Sequence, residues 1–215
     1  IAKYAETARR AVVIGGGFGG RFNTYPEYCA VLAAAKQLGR PVKWVGTRSE
    51  MFLADEQARD ILHKGELALD ADGRIVGMRF EFVCNLGAYL AFTGAFVNTV
   101  NLVNVASGVY DVQAVHIHAS LVFTNTVPTA AYRGAGRPEA TYIIERVMDL
   151  VAAELKKDPV EIRRKNFPQP NEFPYATPTG VIYDSANYQR SLDLALKMAN
   201  YKKLRQEQAR LRKQG

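Results

Sequence analysis

The chain has 215 residues, 48% of them hydrophobic, which is enough to bury one sizeable core. It holds no run of ~20 apolar residues to cross a bilayer and no secretory leader, and it opens on Ile1, as a piece of a longer protein does. The net charge of +7 does not point to nucleic acid, because the excess collects in Lys202, Lys203, Arg205, Arg210, Arg212 and Lys213 against Glu207 alone. Cys29 and Cys84 stand in apolar surroundings and read as buried reduced thiols, which suits a cytoplasmic protein.

In chain order, Ala11-Val12-Val13-Ile14 reads as a strand that runs into a string of five glycines in six residues, 15–20. Gly15, Gly17 and Gly20 satisfy G-x-G-x-x-G, the start of a dinucleotide-binding fingerprint. That fingerprint needs a helix opening within the glycines, and Pro26 would fall inside it. A helix from Pro26 to Leu38, capped by Asn23 or Thr24 and stopped by Gly39, fits better. The strand expected next, 41–46, ends in Gly46-Thr47-Arg48 and lacks the acidic residue that would take a ribose hydroxyl. So many glycines carry an entropic cost, and a close neighbour that needs bare backbone accounts for it.

Ser49–Asp55 reads as a short capped helix. Residues 61–69 alternate, with Ile61, His63, Gly65, Leu67 and Leu69 on one face; Asp70-Ala71-Asp72-Gly73 turns the chain. The return strand puts Val76, Met78, Phe80, Phe82 and Cys84 on one face. Residues 86–107 read as a packed loop with one short helix, and 112–123 as another strand. A helix from 138 to 156 carries the stripe Ile143, Ile144, Val147, Val151 and Leu155. Asp158-Pro159 starts a further short helix, 167–179 reads as a proline-containing surface connection, and 187–213 as helical. The class is α+β: a mixed sheet with a long antiparallel hairpin and helices packed on it.

Two segments suit a small ligand: the glycine string, and Arg133-Gly134-Ala135-Gly136-Arg137, whose glycines and arginines precede a helix and attract an anion. His116 and His118 share a strand face, but no Cys or carboxylate joins them at ligand spacing. His63 reads as a core or edge histidine, and Asp60 and Glu66 have no evident partner. From the residues alone the chain is a cofactor-binding α+β domain without an acid–base group of its own. A nicotinamide- or flavin-dinucleotide domain and a non-catalytic cofactor-handling domain remain alternatives.

Five stretches occur together in order: Gly15–Arg21; Gly39-Arg40-Pro41-Val42; Thr124–Pro128; Ala131–Glu139; and Asp158-Pro159 through Arg163–Phe167. In these the chain resembles the molybdopterin-binding part of the large subunit of molybdenum hydroxylases (the xanthine dehydrogenase and aldehyde oxidase family). Tyr25–Tyr28 and Ala131-Tyr132-Arg133 are most similar to the aerobic carbon monoxide dehydrogenase branch. The resemblance implies one molybdopterin-binding domain over 1–215, with its core at 10–170, then a proline-rich connection and a basic C-terminal helix. It implies molybdopterin cytosine dinucleotide with molybdenum in a bacterial protein, held by Gly17, Phe18, Gly19, Arg133 and Gly134. Phe22 and Ala135 would line the substrate pocket; xanthine-type enzymes have Glu and Phe there. Gly134 replaces the copper-binding Cys of carbon monoxide dehydrogenases, so no copper is expected. The family's general-base Glu lies in a later domain, so no catalytic residue is expected within this piece, and the piece alone should be inactive. The partners implied are the rest of the large subunit, iron–sulfur and FAD subunits, and a small carbon monoxide-like, aldehyde or N-heterocyclic substrate oxidised with water-derived oxygen.

Overall fold

The structure, a computed structural model, describes residues 16–214. The expected strand at 11–14 and Gly15 lie outside the described residues. Helix α1, Pro26–Leu38, starts with Pro in its first turn and ends at Gly39 (φ 63°). Its N-cap is Tyr25, not Asn23 or Thr24, and no side chain caps it. Pro in the first turn has no N–H to leave orphaned, and this lightens the need for a cap. Residues 41–47 form no strand. Helix α2, Arg48–Ala54, opens with a capping box in which Thr47 and Glu50 satisfy each other's backbone N–H groups.

Strands β1 (Ile61–Leu69), β2 (Ile75–Gly87) and β3 (Val115–Phe123) form a sheet in the order β1-β2-β3. The turn between β1 and β2 is closed by Asp70, whose backbone N–H donates to Arg74 and whose carbonyl accepts from Gly73. The side chain of Asp70 takes the N–H groups of Asp72 and Arg74. The pairs Met78–Ala114 and Gly87–Thr124 advance in the same direction, so β3 runs parallel to β2 and the sheet is mixed. Parallel neighbours need a crossover, and 88–114 supplies it. Its centre is a helical run: α3 (Gly94–Phe96), a π-turn (Val97–Asn101) and α4 (Leu102–Asn104). The expected alternation holds along β1. It slips at the start of β2, where Ile75 is buried and Val76 exposed.

Helix α5 is Arg137–Glu154 and α6 is Pro159–Lys165, the latter capped by the Asp158 carboxylate on Val160 N–H at 2.8 Å. The buried stripe of α5 is Ala140, Ile143, Ile144, Val147, Met148 and Ala152, whereas Leu155 lies beyond the helix and is exposed. The segment 167–179 is not wholly superficial: Phe167, Pro168 and Thr177 are buried, and β4 (Tyr175–Ala176) pairs antiparallel with β5 (Ile182–Tyr183). The terminal helical stretch is two helices, α7 (Tyr188–Met198) and α8 (Tyr201–Arg212), broken at Asn200, which has a left-handed backbone (φ 49°).

The chain divides into two compact units. One contains the described residues up to His63, Glu81–Val103 and His118–Ala140; the other contains Lys64–Phe80, Asn104–Ile117 and Thr141 onward. The core of the second unit joins Phe80, Tyr110, Ile144, Met148 and Ile162, and Tyr110 stacks on Phe167 at 5.8 Å. The core of the first includes Tyr25, Phe82, Cys84, Leu86, Val97 and Leu102. Cys84 is buried as expected, but Cys29 is exposed on α1. Asp60 and Glu66 do have partners, Asn85 (2.7 Å) and Arg79 respectively.

Candidate functional site

The site is built from the end of β2. Asn85, nearly buried, spends all four of its side-chain hydrogen-bonding positions. Its Nδ2 donates to Asp60 (2.7 Å) and Thr126 (2.8 Å), and its Oδ1 accepts from Gly87 N–H (2.7 Å) and the Thr124 hydroxyl (2.8 Å). This fixes the chain leaving β3. The next residues are pinned in turn: Thr129 bridges to Gln57, Ala130 N–H donates to Gln57 (2.8 Å), and Ala131 N–H donates to the Thr93 hydroxyl (2.9 Å). The segment therefore delivers Tyr132 and Arg133 from a rigid base.

Residues 134–136 all have positive φ: 91° for Gly134, 43° for Ala135 and 95° for Gly136. Gly136 sits so close to the π-turn that a Cβ would lie 2.6 Å from the carbonyl oxygen of Val97. The glycine string meets this loop. A Cβ on Gly19, whose φ is 97°, would lie 2.2 Å from the carbonyl oxygen of Ala131. Arg133 N–H donates to the Phe18 carbonyl at 2.8 Å, and the Arg133 guanidinium lies 4.6 Å from the centre of the Phe18 ring. The string itself is folded by two turns, Arg21 N–H to Gly17 (3.1 Å) and Phe22 N–H to Gly19 (3.0 Å).

Among the described residues, no acceptor meets the backbone N–H groups of Phe18, Gly19 or Gly134, and Arg133 has no carboxylate partner. Gly17 differs from Gly19. Its backbone is not left-handed, and a Cβ there would meet nothing within 4 Å among the described residues. Neither strain nor packing among the described residues demands its bareness.

Beside Gly19 opens a cavity of about 190 Å³, lined by Phe22, Thr93, Phe96, Val97, Asn101 and Ala131. Phe22 stacks on Phe92 at 5.7 Å. Thr93 is spent on Ala131, while the Asn101 amide has no hydrogen-bond partner among the described residues. A separate hollow of about 180 Å³ includes Arg21, Tyr25, Tyr28, Met51 and Asp55 in its wall. There the charges answer each other, with Arg21 3.3 Å from Asp55, and burial pushes the Tyr25 phenol up to about 12. Burial also raises the nearby Glu56 carboxyl, which Asn23 partly offsets by donating to it.

Residues 9–167 match the profile described as the molybdopterin cofactor-binding domain. The chain belongs to that family. Its sequence is 41% identical over 198 residues to the carbon monoxide dehydrogenase large chain of Hydrogenophaga pseudoflava, covering 91% of this chain and 25% of that one. It is 36% identical to the gamma subunit of the 6-hydroxypseudooxynicotine dehydrogenase complex of Paenarthrobacter nicotinovorans, covering 95% of this chain and 26% of that one. Among solved structures, quinoline 2-oxidoreductase from Pseudomonas putida 86 superposes with a TM-score of 0.85 at 34% identity, over 94% of this chain and 26% of that one. The chain thus spans about a quarter of the length of these relatives.

Within this molybdopterin cofactor-binding domain, the structure brings Phe18 and Gly19 against Ala131, Tyr132 and Arg133, with Gly134 next along the chain. Phe22 is in the cavity wall; Ala135 does not line it. The helix after the glycines starts at Pro26, so no helix N-terminus stands within the string to take a pyrophosphate. Of the described residues, no group of three or more His, Cys, Asp or Glu could hold a metal directly, and His118 is hydrogen-bonded to Ser120 at 3.1 Å. Sequence reading missed two participants. Asn101 enters the cavity wall from the π-turn, and Arg59 reaches the 132–133 carbonyls from a distant segment. Asn101 is one of three Asn in that helical run, with Asn98 and Asn104, so the sequence does not single it out, and Arg59 has no local sequence signature.

Proposed function

We propose that the two joined loops form part of a molybdenum–pterin site in a molybdenum hydroxylase large subunit. The observation that carries this reading is the junction of Phe18 with Arg133. It gathers the N–H groups of Phe18, Gly19 and Gly134, which meet no acceptor among the described residues, and a guanidinium with no carboxylate partner among them, a donor set suited to the oxo and phosphate oxygens of such a group. The open face at Gly17 supports it as well, because bare backbone there meets no neighbour among the described residues. When bound, the group supplies a two-electron oxidation with oxygen taken from water; the chain's own residues bind and orient it. The cytosine dinucleotide form is the one that the sequence resemblance implies for a bacterial protein. In this reading residues 1–215 act as one cofactor-binding domain with its core at 10–170.

Gly134 offers no thiolate, so copper has no ligand at that position. The cavity with Phe22, Phe96 and a single amide at Asn101 suits a small apolar aldehyde or N-heterocycle better than a polar purine. The remainder of the large subunit, with iron–sulfur and FAD subunits to carry electrons away, completes the enzyme, in the cytoplasm. The piece alone lacks the general base and does not turn over. The test is elemental and pterin analysis of the full-length protein from cells supplied with molybdate. Molybdenum, pterin and released cytidine nucleotide in equal amounts, without copper, are expected; a preparation free of molybdenum and pterin refutes the reading. Turnover by the isolated piece with molybdenum present would refute its incompleteness.

A further inference from the structure

Arg59 lies between α2 and β1 with a left-handed backbone (φ 69°), a conformation that a residue with a Cβ keeps only where its surroundings impose it. Its Nη2 donates to the carbonyls of both Tyr132 (3.3 Å) and Arg133. Its Nε lies 3.7 Å from the Glu139 carboxylate, and its guanidinium carbon 5.3 Å from the centre of the Tyr132 ring. Glu139 belongs to the first turn of α5 and is only 6% exposed. Arg59 therefore ties the loop to the helix that follows it.

The consequence follows from peptide planarity. In a trans peptide, C=O and N–H point in opposite directions. Turning the Tyr132 carbonyl toward Arg59 turns the Arg133 N–H away from it, and that N–H does meet Phe18 at 2.8 Å. Turning the Arg133 carbonyl toward Arg59 likewise turns the Gly134 N–H away, where it meets no acceptor among the described residues. The Tyr132 carbonyl also accepts from Ala135 N–H (2.9 Å) and the Gly134 carbonyl from Arg137 N–H (3.1 Å), so one guanidinium adds its hold on two consecutive peptide planes to turns that shape 134–136, and at the Arg133 carbonyl it is the partner.

We propose that Arg59, braced by Glu139, is a positioning residue that aims the Gly134 N–H and the Arg133 side chain at the cofactor. This rests on the reading given above. Arg59→Met and Glu139→Gln in the full-length subunit test it through two independent measurements. The first is hydrogen–deuterium exchange of the 131–137 segment in cofactor-free protein. Exchange at the Arg133 amide should rise roughly tenfold or more in Arg59→Met, as expected for losing hydrogen bonds from a charged donor, and Glu139→Gln should fall between. Unchanged exchange overturns the proposal whatever the cofactor. The second is molybdenum and pterin content, which should fall in Arg59→Met and recover in part in Arg59→Lys, which keeps the charge but not the fork. Full content in Arg59→Met overturns the proposal. A wild-type subunit without molybdenum or pterin refutes the functional reading instead, and the exchange measurement still decides the clasp. Should Arg59→Met not fold, Arg59→Lys takes its place in both measurements.

Discussion

Alanine at Gly19 and alanine at Gly17 should have opposite consequences, although the two positions are neighbours in one glycine string. At Gly19 the new methyl would sit 2.2 Å from the Ala131 oxygen, 2.7 Å from its carbon and 3.0 Å from Tyr132 Cα. Contact at ordinary distance requires the loops to part by about 1 Å, and at that spacing much of the attraction between packed atoms is gone. The left-handed backbone adds about 1–2 kcal/mol, and overpacking about 1–3 kcal/mol. The sum, roughly 2–5 kcal/mol, should bring an earlier unfolding transition, by several degrees where this domain melts as its own unit. At Gly17 there is no left-handed strain and, among the described residues, no neighbour within 4 Å. Its replacement should leave stability within about 0.5 kcal/mol, or raise it slightly by restricting the unfolded chain. Thermal unfolding of the cofactor-free full-length subunit gives the first comparison. Molybdenum and pterin content of the same variants gives the second, and there Gly17→Ala should lose cofactor despite being stable. Gly17→Ala unfolding as early as Gly19→Ala, or retaining full cofactor, would rule out a ligand face at Gly17.

Asn85→Ala removes two donors and two acceptances from a buried hub and should destabilise the subunit by roughly 2–4 kcal/mol, read as an earlier denaturation midpoint with unchanged m-value; a neutral effect would mean the 124–131 segment is held by other contacts. Phe22→Ala takes from the cavity wall the ring that stacks on Phe92, and, if the cavity takes the substrate as proposed, the KM for an aromatic substrate should rise roughly threefold to tenfold from the lost ring contact, with kcat little changed. Burial, with the Glu139 carboxylate adding to it, pushes the Cys84 thiol up to about 11. Alkylation at pH 8, followed by peptide mapping, should therefore label the exposed Cys29 and leave Cys84 unmodified until the protein unfolds.

Elements with strong local patterns were readable in the sequence. The period-2 run of β1, the Pro26 and Gly39 brackets of α1 and the Asp158-Pro159 start of α6 all carry their causes within a few residues. The apolar stretch at 41–46 did not become a strand, because a strand needs a partner and no described residue pairs with it. The slip from Val76 to Ile75 was hidden for a related reason: Ile75 N–H is held by the Asn166 side chain at 2.8 Å, far along the chain. The two loops were visible as candidates, but nothing local in either says that Phe18 meets Arg133. Arg59 was invisible altogether, since its role depends on carbonyls of residues that come late in the sequence and on an angle that Arg rarely adopts.

The π-turn at 97–101 holds one residue more than an α-helix would fit into the same rise. Leu102 N–H reaches back to the Val97 carbonyl, and the Gly136 backbone lies against that bond. Each residue of an α-helix turns the next by about 100°. Deleting a single residue from the turn would therefore rotate Asn101 out of the cavity wall while leaving the ends of the crossover where they are. The lining of this cavity can thus change through a shift of helical register, a route open to insertion and deletion and closed to point substitution.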